Sequence, residues 1–228
     1  MLVIAHRGDS AHFPENTCLS FCSALDKGVE GIELDVQQVG DVLYVFHDRD
    51  LMRLTGNTGT LATCDNPSQL RVDGQKIPTL AEVLSQIHGQ CLLNVEIKNE
   101  VAVTHFVTLL RDACLNLGFN ASQIHISSFH HRVLKDVHEE APEFPIGVLF
   151  EGIPLNFDQI YKTFQPYSIN FAVDYVTKSL VDEVHQLGSK VFVYTVDSAE
   201  DIEHLMEIGV DGIFSNDPSR AKQQIENL

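Results

Sequence analysis

Seven residues of the first hundred have the types and spacing to do chemistry, and each lies at or near the end of a short β-rich run. His6 and Arg7 close LVIAH (2–6). Glu33 and Asp35 stand two apart in GIELDV (31–36), and a strand's period of two points both to one side. Glu96 and Lys98 repeat that spacing at the end of CLLNVEI (91–97), and His47 ends VLYVF (42–46), followed by Asp48. Taken singly, each pair reads as a surface or ion-paired feature. Together they are costly to gather, because carboxylates facing a closed interior cannot stay ionised without a partner. A hard cation resolves that conflict, and an oxygen-only ligand set suits Mg²⁺ or Ca²⁺ better than zinc. Histidine, with an ordinary pKa of about 6.5, can give or take a proton near neutrality.

The elements that must position these groups alternate from end to end. Strands are expected at 2–6, 31–36, 91–97, 124–128, 146–150, 168–173, 190–195 and 211–215, with helices near 17–27, 80–87, 100–117, 130–140, 157–164, 178–187, 199–208 and 219–227. Thr79 and Glu82 form an expected capping box before LAEVL. Eight βα units at this length predict a parallel α/β fold closed as a (β/α)8 TIM-type barrel, with an open doubly wound sheet as the second choice. A barrel places its site at the C-terminal strand ends, where the seven residues fall. Gly40-Asp41 turns the chain into an extra strand at 42–46. The polar stretch after it, about 47–78, reads as an insertion over the barrel mouth within one domain spanning 1–228.

Composition narrows the functions. The 228 residues carry 15 Lys+Arg against 32 Asp+Glu, a net charge of −17. So acidic a chain is a poor partner for nucleic acid or an anionic membrane. No apolar run reaches the roughly 18–20 residues of a membrane span. No dinucleotide-type glycine loop or P-loop is present. MLVIAHRG turns charged after a short apolar run, which predicts a cytoplasmic protein. The five cysteines, an odd number with no C-x-x-C pair, are expected to be small buried thiols.

The motifs HRG (6–8), PENT (14–17), ELD (33–35), HD (47–48), EIK (96–98), SSF (127–129) and GVDGI (209–213) resemble, in this order, the glycerophosphodiester phosphodiesterase family. DLMRLTGNTGTL (50–61) and IPTLAEVL (77–84) extend the likeness through the insertion. The resemblance is to short cytoplasmic bacterial members. It implies a metal-dependent hydrolase that cuts a small anionic phosphodiester into glycerol 3-phosphate and an alcohol. By position it makes Glu33, Asp35 and Glu96 ligands of one divalent cation (Mg²⁺ or Ca²⁺, with Mn²⁺ also compatible) and His6 and His47 the acid–base pair. Arg7 and Lys98 then face the phosphate, while Glu15 orders the loop after the first strand and Asn16 caps the next helix. Phe129 and Tyr194 are expected at the substrate pocket, Tyr194 standing where many members carry Trp. Asp197 replaces a frequent Asn, and Ser215-Asn216 a frequent Thr-Asp. Two other readings remain open on the same fold: a lysophospholipase-D-like phosphodiesterase, and a non-catalytic sugar-phosphate-binding barrel. The oligomeric state stays open as well.

Overall fold

Residue alternation along the strands explains why the chain closes on itself. In the computed structural model, which describes residues 1–228, the eight barrel strands are β1 (Leu2–His6), β2 (Gly31–Val39), β6 (Leu92–Ile97), β7 (Ile124–Ser128), β8 (Ile146–Phe150), β9 (Ser168–Ala172), β10 (Lys190–Tyr194) and β11 (Gly212–Ser215). Each pairs in parallel with the next, and β11 and β2 both pair with β1, which closes the barrel. Ile32, Leu34 and Val36 of β2 and Leu93, Val95 and Ile97 of β6 face outward into the core shared with the helices. The residues between them (Glu33, Asp35, Asn94, Glu96) therefore face inward, and β2 and β6 pair Asp35 with Glu96. Ile4, Phe192 and Phe214 form a separate apolar cluster inside the barrel.

The expected barrel is thus observed, with strands 124–128 and 146–150 where the sequence placed them. Strand β2 runs on to Val39 instead of ending at 36. The reason is a partner, since β3 (Val42–Val45) pairs antiparallel with its last four residues. Helices α1 (Cys18–Asp26), α3 (Leu80–Ile87), α4 (Val103–Asn116), α5 (His131–Glu140), α6 (Asp158–Phe164), α7 (Lys178–Gln186), α8 (Ala199–Glu207) and α9 (Pro218–Glu226) alternate with the barrel strands. The Thr79–Glu82 capping box starts α3. The thiols need a correction. All five are free, but only Cys91 is buried, while Cys18 and Cys22 lie exposed on α1. Both sit on the turn of α1 facing away from its buried stripe, Ser20, Phe21 and Ala24.

Between β3 and α3 the chain forms α2 (Met52–Thr55), two 3₁₀ turns (Leu61–Thr63 and Pro67–Gln69) and a hairpin of β4 (Arg71–Val72) and β5 (Gln75–Lys76). Polar as it is, this segment gathers Leu51, Leu61, Leu70, Val72 and Ile77 with Tyr44 and Phe46 into a small core of its own. That core holds the chain on either side of His47 in place. No helix of the protein is long and apolar enough to cross a membrane.

Candidate active site

The chain leaves β1 through two residues with left-handed backbone, Arg7 (φ 59°) and Gly8 (φ 82°). A side chain at Gly8 would put its Cβ 2.7 Å from the Ser20 backbone, so HRG requires glycine there. The turn brings the Arg7 amide onto Glu33 Oε2 at 2.9 Å. It also aims the guanidinium at Asp35, 3.2 Å from Nε to Oδ2, and at Glu15, 2.7 Å from NH1 to Oε1. His6, Arg7, Glu33, His47, Glu96, Lys98, Phe129 and Tyr194 line one cavity of about 140 Å³ at the C-terminal ends of the strands. Asp35 lies just behind it, buried, joined to Lys98 Nζ at 3.5 Å. Lys98 also donates to Glu96 at 2.6 Å.

Glu33, Asp35 and Glu96 each offer an oxygen within 4.8 Å of the others. Burial, then the charges of Asp35 and Glu96, push Glu33 well above the usual carboxylate range. Burial, then Asp35, pushes Glu96 up to about 7. Burial acts on Asp35 too, but Lys98 and Arg7 outweigh it and hold the group low. Glu33 Oε1 and Asp35 Oδ1 are buried without a hydrogen-bond partner, a costly arrangement in an apolar interior. Crowded carboxylates with unpartnered oxygens fit a divalent hard cation, which would take the place of the protons.

The two histidines are held differently. His6 Nδ1 lies 2.8 Å from Asn216 Oδ1, and its Nε2 points toward Glu33 at 4.0 Å. Asn216 in turn donates from Nδ2 to Asp197 Oδ2 at 2.6 Å. Because Asp197 only accepts, the amide must present oxygen to His6, so His6 donates from Nδ1 and leaves Nε2 free to accept a proton. Burial and then the Arg7 charge lower the His6 pKa to about 4. His47 instead donates from Nδ1 to Asp48 Oδ1 at 2.7 Å. Burial lowers His47 too. Asp48 is pulled down to about 2, chiefly by Arg53 of α2, whose guanidinium reaches it at 2.6 and 2.7 Å. The same guanidinium grips Glu15 at 2.8 and 2.9 Å. Gln37 Nε2 fixes the backbone beneath by donating to the Phe46, His47 and Asp48 carbonyls.

The expected helix cap is also overturned. Thr17, not Asn16, caps α1, accepting from the Ser20 amide. Asn16 turns inward with φ 57°, buried, and donates from Nδ2 to Asp35 Oδ2 at 2.7 Å. A left-handed backbone denies it the cap geometry and frees its amide for the carboxylate. Glu15 does order the loop, as expected, by bridging Arg7 and Arg53. The residues that sequence reasoning missed are Arg53, Asn216, which it noted only as a departure, and Glu151 on the cavity wall. Asn216 and Glu151 each follow the last residue of a barrel strand, and that position was their available signal.

A closed barrel that gathers carboxylates, histidines and two cations at its C-terminal mouth is the architecture of a TIM-barrel enzyme. Residues 6–220 match the glycerophosphoryl diester phosphodiesterase family, and the chain belongs to it. It is 36% identical to a glycerophosphodiester phosphodiesterase of Caldanaerobacter subterraneus subsp. tengcongensis, over 95% of this chain and 94% of that one. A Bacillus altitudinis enzyme of the same name is 31% identical, covering 99% and 98% of the two chains. Among solved structures, an Oleispira antarctica phosphodiesterase in complex with its product sn-glycerol-3-phosphate superposes with a TM-score of 0.89 at 25% identity, covering 99% of this chain and 97% of that one. A Silicibacter pomeroyi protein, at TM-score 0.88, 24% identity and coverage of 100% and 93%, shares the fold.

Proposed function

We propose that the protein hydrolyses glycerophosphodiesters to glycerol 3-phosphate and an alcohol, with His6 and His47 as the acid–base pair. The observation that carries this reading is the pairing of unlike histidines across one cavity also lined by Arg7 and Lys98. His6, bound to a neutral amide and open at Nε2, is the base that takes the proton from the attacking oxygen, that of water or of the glycerol 2-hydroxyl by way of a cyclic phosphate that water then opens. His47, whose Nδ1 bond to Asp48 offsets part of the lowering by burial, is the acid that protonates the departing alkoxide. Arg7 and Lys98 orient the phosphate and offset its charge. Glu33, Asp35 and Glu96 hold one divalent cation, Mg²⁺ or Ca²⁺ by their oxygen-only chemistry, with Mn²⁺ also compatible. When bound, that ion supplies Lewis-acid stabilisation of charge on the phosphoryl oxygens. Phe129 and Tyr194, edge-on with ring centroids 5.9 Å apart, wall the alcohol side of the pocket. The segment 47–78 works with the barrel as one unit, because it delivers His47. The five free thiols support a cytoplasmic location.

The test is incubation with glycerophosphocholine and other glycerophosphodiesters, with and without a chelator, assayed for glycerol 3-phosphate. Release that stops on chelation and returns with Mg²⁺ or Ca²⁺ is expected. No product with any divalent ion across several head groups would overturn the reading.

A further inference from the structure

Barrel strands β1 and β8 stand first and fifth of eight, so the residues that follow them face each other across the mouth. After β1 comes Arg7, and after β8 comes Glu151. Both line the same cavity. Glu151 is solvent-exposed and makes no ion pair or hydrogen bond of its own. Beside it the Tyr194 ring is fixed by a 2.7 Å hydrogen bond from its hydroxyl to the Phe150 carbonyl. Burial and the nearby Glu151 charge both push that hydroxyl's pKa up. Phe129 meets Tyr194 edge-on, and Leu149 completes an apolar wall. The cavity is therefore polarised: Arg7 and the histidines lie toward the first three strands, with Tyr194 and an unpaired carboxylate across from them, while Phe129 stands between, its ring centroid 5.8 Å from Lys98 Nζ.

That carboxylate is out of place in a pocket for a simple anion. A phosphodiester whose alcohol arm is neutral carries one net negative charge, and Glu151 repels it. An arm ending in an ammonium group reverses the sign of the interaction, and the Tyr194 ring beside Glu151 suits the same group, whereas Phe129 already has Lys98 Nζ over its ring. We propose that Glu151, with Tyr194 beside it, forms a head-group subsite that selects phosphodiesters with a cationic alcohol arm. The subsite rests on the phosphodiesterase activity proposed above and assigns its substrate class.

The test compares kcat/KM of the metal-loaded enzyme for glycerophosphocholine and glycerophosphoethanolamine with that for glycerophosphoglycerol and glycerophosphoinositol. The wild type should favour the cationic pair by about tenfold at low salt, and the preference should shrink as ionic strength rises. Glu151→Gln should bring the ratio near one, and Glu151→Lys should invert it, both with unchanged melting temperature. A ratio that is the same in Glu151→Gln as in the wild type overturns the subsite while leaving the activity standing. So does an equal fall on all four substrates, which would make Glu151 a glycerol contact. No turnover of any substrate overturns the activity, and the subsite with it.

Discussion

His6 and His47 look into one cavity from supports built on different physics. The side chain of His6 is 14% exposed, ends a strand of the closed barrel, and leans on a neutral amide. That of His47 is 30% exposed, ends the β3 hairpin, and leans on a carboxylate gripped by the half-exposed Arg53. Burial lowers the pKa of both, and only the second has a carboxylate hydrogen bond working against that shift. A salt-screened network holds His47, whereas a packed interior holds His6. The half of the site borrowed from the insertion rests on ionic contacts and a core of seven buried residues, so local opening is expected there first.

The comparison can be broken in several places. His6→Ala and His47→Ala should each cut kcat by roughly 10²–10⁴-fold, with folding by circular dichroism and cation binding by calorimetry retained. Near-wild-type turnover in either variant sinks the acid–base assignment. Leu61→Ala, which hollows the fully buried centre of the insertion core, should cost about 2–5 kcal/mol of local stability. Hydrogen exchange should then accelerate across 47–78 while the barrel strands keep their protection. Equal acceleration in both would show that insertion and barrel unfold as one cooperative block.

Arg53→Gln frees both Asp48 and Glu15 and should lower kcat about tenfold, the cost of losing a charge-assisted clamp on His47. KM should move less, and Arg53→Lys should recover part of the rate. An unchanged kcat would mean that Gln37 and the hairpin alone orient His47. The smallest effect is in metal binding. Glu96 titrates near 7 in the folded protein, raised by burial and Asp35, so below that pH it holds a proton that a cation must displace. Cation affinity should weaken as pH falls through 7, by up to about tenfold per unit for one proton released. Calorimetry in buffers of different ionisation heat reads that proton directly, and a flat affinity from pH 8 to 6 would contradict it.

Much of this was legible in the chain. The alternation of Ile32, Leu34 and Val36 with Glu33 and Asp35 fixes which face of β2 is core and which is site, because a strand's side chains alternate whatever its neighbours do. The βα rhythm implied closure, and the strand-end rule located the site. Asn16 escaped because a cap and an inward-turned ligand look alike in sequence: only its positive φ separates them. Arg53 escaped because its partners, Glu15 and Asp48, are 38 and 5 residues away and meet it only once the insertion folds back.

By itself the sequence determined the barrel, the insertion's place and the set of residues at the mouth, since these follow from local periodicity and strand-end position. The tertiary structure decided how those residues act on one another. It alone shows that Asp197 pins the Asn216 amide and thereby fixes the His6 tautomer. It alone shows that three carboxylates share one crowded space and that Glu151 faces Arg7 across the mouth. Protonation, orientation and field depend on distance and burial between residues far apart in the chain, and no local pattern encodes those.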